Sequence, residues 1–403
     1  MSEALIFDAI RIPRGRGKPG AGTLYETKPI DLVVTLLDAL RRRHDLDPTR
    51  VDDLIMGISS AVGDQGSCLP RIAALCAPGG WDRVSGMALQ RFCGAGLEAV
   101  NLAAEKVRSG WHDLIAAGGV ESMSRVGLGA TGGAWIYDPA TSLKIGYVPQ
   151  GFSADMLAAL HGFNRETLDA FALRSQQLAA QARCEGRFGR SLVPVRDANG
   201  ITVLDHDEYI REDTSAASLA ALKPAFGGVS AMANGVVARQ RYPQLDRIDA
   251  VHTAGNASGI VDGAALVLVG SEKISAELGL RPRARILGTG LATVDATLML
   301  TGPVPATQKA IAKAGLRIDQ IELFEVNEAF AAVPLYFAKT LDVPLDKINV
   351  NGGAIAMGHP IGASGAILLG TLLDEMERRE LRYGVATLCT AGGMGVATVI
   401  ERL

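Results

Sequence analysis

Residues 97–119 read LEAVNLAAEKVRSGWHDLIAAGG. Leu97, Val100, Ala104 and Val107 fall three or four apart, which places them on one face of a helix. Asp113-Leu114-Ile115-Ala116-Ala117 is then a short apolar run that stops at Gly118-Gly119, the pattern of a buried strand ending in a glycine turn. The same order returns late in the chain. Ala366 to Met376 carries Leu368, Leu369, Leu372 and Leu373, and Val385-Ala386-Thr387-Leu388 runs into Cys389 and a second glycine-rich turn. Helix, strand and glycine turn therefore occur over residues 94–123 and again over 363–395. Asp53-Leu54-Ile55-Met56-Gly57 reads as a further strand. Short apolar strands alternating with Ala- and Leu-rich helices give an α/β chain. A duplicated pair of α/β halves explains the recurrence. So does the ordinary repetition of such units in any α/β protein, and the pattern alone leaves both open.

Composition narrows the function classes. The chain has 403 residues, enough for two or three domains at about 150 residues each. It is 48% hydrophobic and 21% charged, which suits a large core and excludes a disordered or collagen-like chain. The net charge of -3 advertises no basic face, so nucleic acid is not an expected partner. No apolar run approaches the roughly 18 residues of a membrane span. Met1-Ser2-Glu3-Ala4-Leu5 lacks the basic-then-apolar pattern of a secretory leader. Cys68, Cys76, Cys93, Cys184 and Cys389 are an odd set without CxxC spacing. They read as neither a disulfide framework nor a metal site, and a reducing compartment, the cytoplasm, is expected. Between the two halves, residues 122–251 collect Arg, Asp, Gln and Pro, including Phe163-Asn164-Arg165-Glu166 and Asp205-His206-Asp207-Glu208. Arg165 to Arg187 reads as a polar surface helix. A long insertion of this kind forms a lid or binding loop, or a plain decorative subdomain.

Four segments could carry chemistry. Gln90-Arg91-Phe92-Cys93-Gly94-Ala95-Gly96-Leu97 sets a cysteine at a helix N-terminus. The free N–H groups and the dipole there favour thiolate, the nucleophilic form. A buried packing cysteine is the other reading. Asn351-Gly352-Gly353-Ala354-Ile355-Ala356-Met357-Gly358-His359-Pro360-Ile361-Gly362-Ala363-Ser364-Gly365 sets one of six histidines in a glycine-dense loop. Imidazole is the usual base for a thiol, and so much glycine implies backbone approach to a ligand; a histidine satisfied by a backbone carbonyl is the alternative. Cys389-Thr390-Ala391-Gly392-Gly393-Met394-Gly395 offers a second cysteine, as a tuned acid/base or as packing. In Val326-Asn327-Glu328-Ala329-Phe330-Ala331, after the apolar strand Ile321 to Phe324, Asn327 can orient a water, donate to an oxyanion, or cap the next helix. A G-x-G-x-x-G that starts immediately after a strand and opens a helix, the Walker-A lysine, H-E-x-x-H and G-x-S-x-G are all missing.

Taken together, the four segments resemble the thiolase family, in the family's order and over the whole chain from Ile10-Arg11-Ile12-Pro13 onward. The phrases Gly118-Gly119-Val120-Glu121-Ser122-Met123-Ser124-Arg125, Val148-Pro149-Gln150-Gly151 and Leu204-Asp205-His206-Asp207-Glu208 resemble fatty-acid-oxidation members that serve as β subunits of trifunctional complexes. The resemblance implies duplicated βαβαβαββ halves stacked in layers with an inserted loop domain. Residues 1–121 with 252–273 would form the first half, 122–251 the loop domain, and 274–403 the second half. It implies Cys93 as the acyl-carrying nucleophile, His359 as its base and Cys389 as the second acid/base. Asn327 would hold a water that, with His359, binds the thioester oxyanion. The backbone N–H groups of Cys93 and Ala391 would form a second oxyanion site. Coenzyme A contacts would fall on Arg211, Ser218, Phe226 and Ser258, the last in Gly255-Asn256-Ala257-Ser258-Gly259.

The implied activity is CoA-dependent cleavage of a 3-ketoacyl-CoA to acetyl-CoA and a shortened acyl-CoA. Coenzyme A is then a co-substrate, with no metal and no permanently bound cofactor. A homodimer or homotetramer follows by resemblance, with a hydratase/dehydrogenase α subunit as a further partner. Ala391 stands where the family usually has glycine, Ala95 where it has serine, and Gln90 where it has asparagine. None of the three removes a catalytic group. Three rivals stay in view. The Cys389 segment argues against a ketoacyl-synthase-type condensing enzyme. A short-chain acetyl-CoA acetyltransferase working toward condensation uses the same residues. A weakly active acyl-CoA-binding subunit is favoured only by Ala391.

Overall fold

A computed structural model describes residues 2–403, the side chains of residues 229–231 aside; Met1, the first residue of the segment read above as lacking a leader pattern, lies outside them. The first half contributes the strands Leu5–Arg11 (β1), Asp53–Gly57 (β2), Ser85–Leu89 (β3), Leu114–Ser122 (β4) and Val261–Gly270 (β5), in the order β3-β2-β4-β5-β1. β3, β2 and β4 are mutually parallel, while β4 with β5 and β5 with β1 are antiparallel. The second half contributes Ala284–Thr293 (β6), Leu323–Val326 (β7), Tyr383–Thr390 (β8) and Met394–Arg402 (β9), in the order β7-β8-β9-β6. β7 and β8 are parallel, and β8 with β9 and β9 with β6 are antiparallel. A parallel bridge from Phe324 to Ile348 stands where β3 stands in the first half. The two halves thus repeat one topology strand for strand, and the duplicated α/β reading holds. They meet edge to edge where Leu5 and Ile6 of β1 pair with Arg285 and Ala284 of β6.

Helices fill three layers around the two sheets. Pro29–His44 (α1) and Leu69–Cys76 (α2) cover the outer face of the first sheet, where Leu32, Leu36 and Leu40 pack with Leu54, Met56 and Leu266. Ala95–Arg108 (α3) is the helix read at 97–107. It buries Leu97, Val100, Ala104 and Val107, with Glu98 in its first turn and Lys106 and Arg108 in its last, the charge order its dipole favours. The insertion between β4 and β5 includes the helices Gln150–His161 (α4) and Arg165–Cys184 (α5). Pro303–Lys313 (α6) and Ala332–Leu341 (α7) cover the outer face of the second sheet. Ser364–Arg378 (α8) lies beside α3 in the middle layer, where Leu369, Leu372 and Met376 join Ile115 and Val267 from one sheet and Leu388 and Val396 from the other. β1, β2, β4 and β5 are buried along their whole length because helices cover both sheet faces, which explains their near-continuous apolar runs.

The helix expected on the surface is different in kind. α5 begins at Arg165, capped by Asn164 accepting from Thr167 N–H, and ends at Cys184. Its buried face carries Leu168, Phe171, Ala172 and Ala179. Full burial of a Leu or Phe is worth roughly 1.5–3 kcal/mol each. Polar residues on the same helix reach into the second half: Arg174 Nη2 donates to Leu345 O at 2.7 Å and Ile348 O at 2.9 Å, and Ser175 Oγ donates to Glu328 Oε2 at 2.6 Å. The polarity marks partners inside the fold rather than solvent. Among the described residues, no helix is long and apolar enough to cross a membrane.

Candidate active site

The central helices α3 and α8 begin side by side because glycine lets them. A Cβ at Gly96 would stand 2.5 Å from Gly362 O, and one at Gly365 would stand 2.3 Å from Leu97 N. Only hydrogen fits at either point. The turn Phe92–Gly94 that feeds α3 carries Cys93, and the loop that feeds α8 carries His359. Both side chains line one cavity of about 500 Å³, together with Ala391, Ser258 and Phe226.

Cys93 is 4% exposed. Burial pushes its thiol up to about 12, against the opposing N–H groups of Ala391 and of Cys93 itself and the Gln150 amide; Glu121 pushes it further up. The expectation that the helix N-terminus would favour thiolate is therefore overturned for the resting site, because desolvation of the charged sulfur outweighs the donors. His359 is equally buried. Desolvation, with Arg14 nearby, lowers its pKa to about 3, so the ring is neutral. Its Nδ1 lies 2.5 Å from Ser364 Oγ, whose single proton goes to Pro360 O at 3.0 Å. Ser364 must then accept at Nδ1, which assigns the ring proton there and leaves Nε2 bare. A backbone carbonyl does not occupy either ring nitrogen. The resting pair is a neutral thiol and a neutral imidazole whose Nε2 carries no proton.

The second cysteine and the asparagine lie just behind. Cys389, at the end of β8, is fully buried. Burial raises its pKa, and so does the neighbouring Cys93. Asn327 follows β7, with its backbone N–H on Thr387 O at 3.0 Å and its side-chain Nδ2 3.4 Å from His359 Nε2. It does not cap the next helix, whose first flanking residue is Ala331. Ala391 leaves the left-handed region to Gly392 at φ 74° and Gly393 at φ 75°, so its Cβ brings no backbone strain.

The geometry agrees with the sequence comparisons. The chain matches the family model for the thiolase N-terminal domain over residues 4–237 and that for the thiolase C-terminal domain over residues 280–402. It is 42% identical to a 3-ketoacyl-CoA thiolase of Shewanella sp. and 40% identical to one of Colwellia psychrerythraea, each alignment covering 100% of both chains. The chain belongs to the thiolase family. A crystal structure of the Bacillus anthracis acetyl-CoA acetyltransferase shares the fold at a TM-score of 0.86, with 35% identity over 100% of this chain and 99% of that one. In this thiolase, Phe226 and Ser258 line the cavity, whereas Arg211 and Ser218 do not. Arg211 lies against the Tyr209 ring and is exposed. The Ser218 hydroxyl is engaged with Ser215 in a helix cap.

Several residues that hold the thiolase site escaped the sequence reading. Glu121, at the end of β4, accepts from Ser59 N, Ser60 N, Gln65 Nε2 and Gly362 N at 2.8–3.0 Å, tying the two site loops to one carboxyl. Gln90 Nε2 donates to Ser59 O at 2.6 Å, so this departure from the family keeps a tether to the same loop. Asp207 accepts from both Nη atoms of Arg11 at 2.8 Å and from Arg14 N at 2.9 Å, and Arg14 Nη1 donates to Gly358 O at 3.1 Å. The insertion is thereby clasped to the base-bearing loop. Phe92 has φ 46°, left-handed for a bulky residue, and its ring packs 5.3 Å from Trp135, which packs 5.0 Å from Tyr147. The motif Val148-Pro149-Gln150-Gly151 was the one available signal for Gln150. Glu121 and Asp207 stood in two other quoted phrases, but nothing local shows which distant N–H groups their carboxylates meet.

Proposed function

We propose that this enzyme is an acetyl-CoA C-acyltransferase, a 3-ketoacyl-CoA thiolase that cleaves its substrate through an acyl group on Cys93. One observation carries the reading: two cysteines and an unprotonated histidine nitrogen converge where both halves of the fold meet. The Cys93 thiol gives its proton to His359 Nε2 as the sulfur adds to the 3-keto carbon. The Cα–Cβ bond then breaks, leaving a Cys93 thioester and the enolate of acetyl-CoA. Cys389 protonates the enolate and becomes a thiolate. That thiolate takes the thiol proton of incoming coenzyme A. The coenzyme A sulfur captures the acyl group, and Cys93 recovers its proton from His359. His359 Nε2–H with a water on Asn327, and the N–H groups of Cys93 and Ala391, are the oxyanion donors.

Coenzyme A is a co-substrate in this scheme. Phe226 and Ser258 serve the part inside the cavity, and Arg211 and Ser218 serve the part outside it. A homodimer or homotetramer is supported by β3, which ends its sheet with an open edge and partly exposed residues. A β-subunit role beside a hydratase/dehydrogenase rests on the sequence phrases alone. Five free cysteines suit the cytoplasm. Cleavage of acetoacetyl-CoA against a long-chain 3-ketoacyl-CoA, with Cys93→Ala as control, tests the reading. A preference for the long chain with a dead control supports a degradative thiolase. Cleavage of acetoacetyl-CoA alone favours the short-chain acetyltransferase, the reading the Bacillus anthracis structure supports. No reaction with either leaves an acyl-CoA-binding subunit and sinks the mechanism.

A further inference from the structure

Behind His359 lies a second, small cavity of about 10 Å³, lined by Arg14, Glu325, Asn327, Gly353, Ser364 and Thr371. That is close to the room one water needs. Among the described residues, three buried polar atoms of the residues lining it have no hydrogen-bond partner: Asn327 Oδ1, Glu325 Oε1 and Arg14 Nε, the last 3.8 Å from Asp207 Oδ1. Buried polar atoms are nearly always hydrogen-bonded, so three orphans on one water-sized space point to a shared occupant. Glu325 and Asn327 are two residues apart at the end of β7, which puts their side chains on one side of the strand. Glu325 is 1% exposed and makes no ion pair among the described residues.

We propose that Glu325 is a positioning residue: with one water in this cavity, its carboxyl group satisfies Asn327 Oδ1 and so fixes the direction in which the Asn327 amide donates toward His359 and the substrate. The inference rests on the thiolase reading above. A neutral carboxyl donates to Asn327 Oδ1 itself, whereas a carboxylate reaches it only through a water that donates to both. Burial, together with Glu328 and Glu375, raises the Glu325 pKa well above its ordinary value, while Arg14 and Arg174 oppose this more weakly. In the neutral form that this shift favours, Glu325 is the donor to Asn327 Oδ1, directly or through the water. An amide held at its oxygen keeps its N–H groups aimed; an amide free to flip presents oxygen to the oxyanion half of the time.

The test compares Glu325→Gln, Glu325→Ala, Asn327→Ala and the double variant Glu325→Ala with Asn327→Ala, each checked for an unchanged thermal midpoint. Glu325→Ala should lower kcat about tenfold, the scale of one hydrogen bond, with KM for the 3-ketoacyl-CoA within about twofold. Glu325→Gln keeps a neutral donor and should hold kcat within about threefold. The double variant should be no slower than Asn327→Ala. The infrared difference between the unmodified protein and Glu325→Gln should show an un-ionised carboxyl at neutral pH. An unchanged kcat in Glu325→Ala, additive losses in the double variant, or a carboxylate band each overturn the proposal. If the unmodified protein cleaves no 3-ketoacyl-CoA, the functional reading falls separately. Glu325 is then judged by the infrared band and by electron density between it and Asn327, where an empty cavity or a carboxylate overturns it.

Discussion

The two halves of the chain share a topology and divide the chemistry. The turn before the central helix carries Cys93 in the first half and His359 in the second. The connection after the neighbouring strand is a long insertion from Ser122 to Val261 in the first half and the short turn Ala391-Gly392-Gly393 in the second. So one scaffold position holds a nucleophile or its base, and the other holds a long binding wall or a tight turn that follows the second cysteine on β8. Helix N-termini and glycine contacts set where the groups stand; burial sets their protonation. The difference teaches that the scaffold supplies placement, while the loops supply chemistry.

The sharpest way to break this division is to remove the first half's share. Cys93→Ala should lower kcat on the order of 10⁴-fold or more, as loss of a nucleophile does, with KM little changed. Removing the second half's base, His359→Ala, should cost roughly 10²–10⁴-fold and should slow iodoacetamide labelling of Cys93 in parallel. If labelling keeps its rate, the base belongs elsewhere. The pH profile tests the same pair. His359 must be neutral to act, and its pKa is lowered to about 3, so kcat/KM should stay level down to about pH 5. An acid limb near 6.5, the ordinary value, would refute the buried neutral pair.

A smaller effect should come from the clasp between insertion and first half. Asp207→Asn leaves Arg11 and Arg14 without their buried carboxylate and should cost about 3–5 kcal/mol of stability, read by denaturant melts. Burial would raise the Asp207 pKa, but Arg11 and Arg14 outweigh it and the folded value is lowered. Its contribution is therefore full above 3.8 and fades as pH falls toward the folded value. The variant's stability should depend less on pH in that acid range. The smallest effect is Ala391→Gly. Its backbone is outside the left-handed region and its N–H is kept, so turnover should shift by no more than about threefold. A larger gain would mean that the Ala391 Cβ crowds the reacting carbon.

The repeated helix and strand were legible because their periodicity is local. The helix read from Leu97 to Val107 is Ala95–Arg108, the one read from Ala366 to Met376 is Ser364–Arg378, and Asp53–Gly57 is a strand over those residues. Cys93, His359, Asn327 and Cys389 each stood in a glycine-marked segment that the sequence displays. Glu121, Arg14, Asp207 and Glu325 were not legible. Their work is to satisfy or orient atoms far away in the chain, and a lone acidic residue in a strand carries no sign of its partners. α5 was misread for the same reason: Arg174 and Ser175 look solvated until the groups they meet are known. The protonation of Cys93 was misread because a helix N-terminus is visible in sequence and the depth of its burial is not.

The place of β5 also has a consequence for how the chain is made. It lies between β1 and β4, yet it follows them only after the whole insertion. At roughly 5–20 residues per second, the ribosome completes β1 on the order of ten seconds or more before either of its sheet neighbours exists. Throughout that interval an apolar strand has open edges on both sides. Nascent chains stalled short of residue 261 should accordingly stay open to protease around Leu5–Arg11, and chains released past β6 should not. The first strand to leave the ribosome is among the last to find its place.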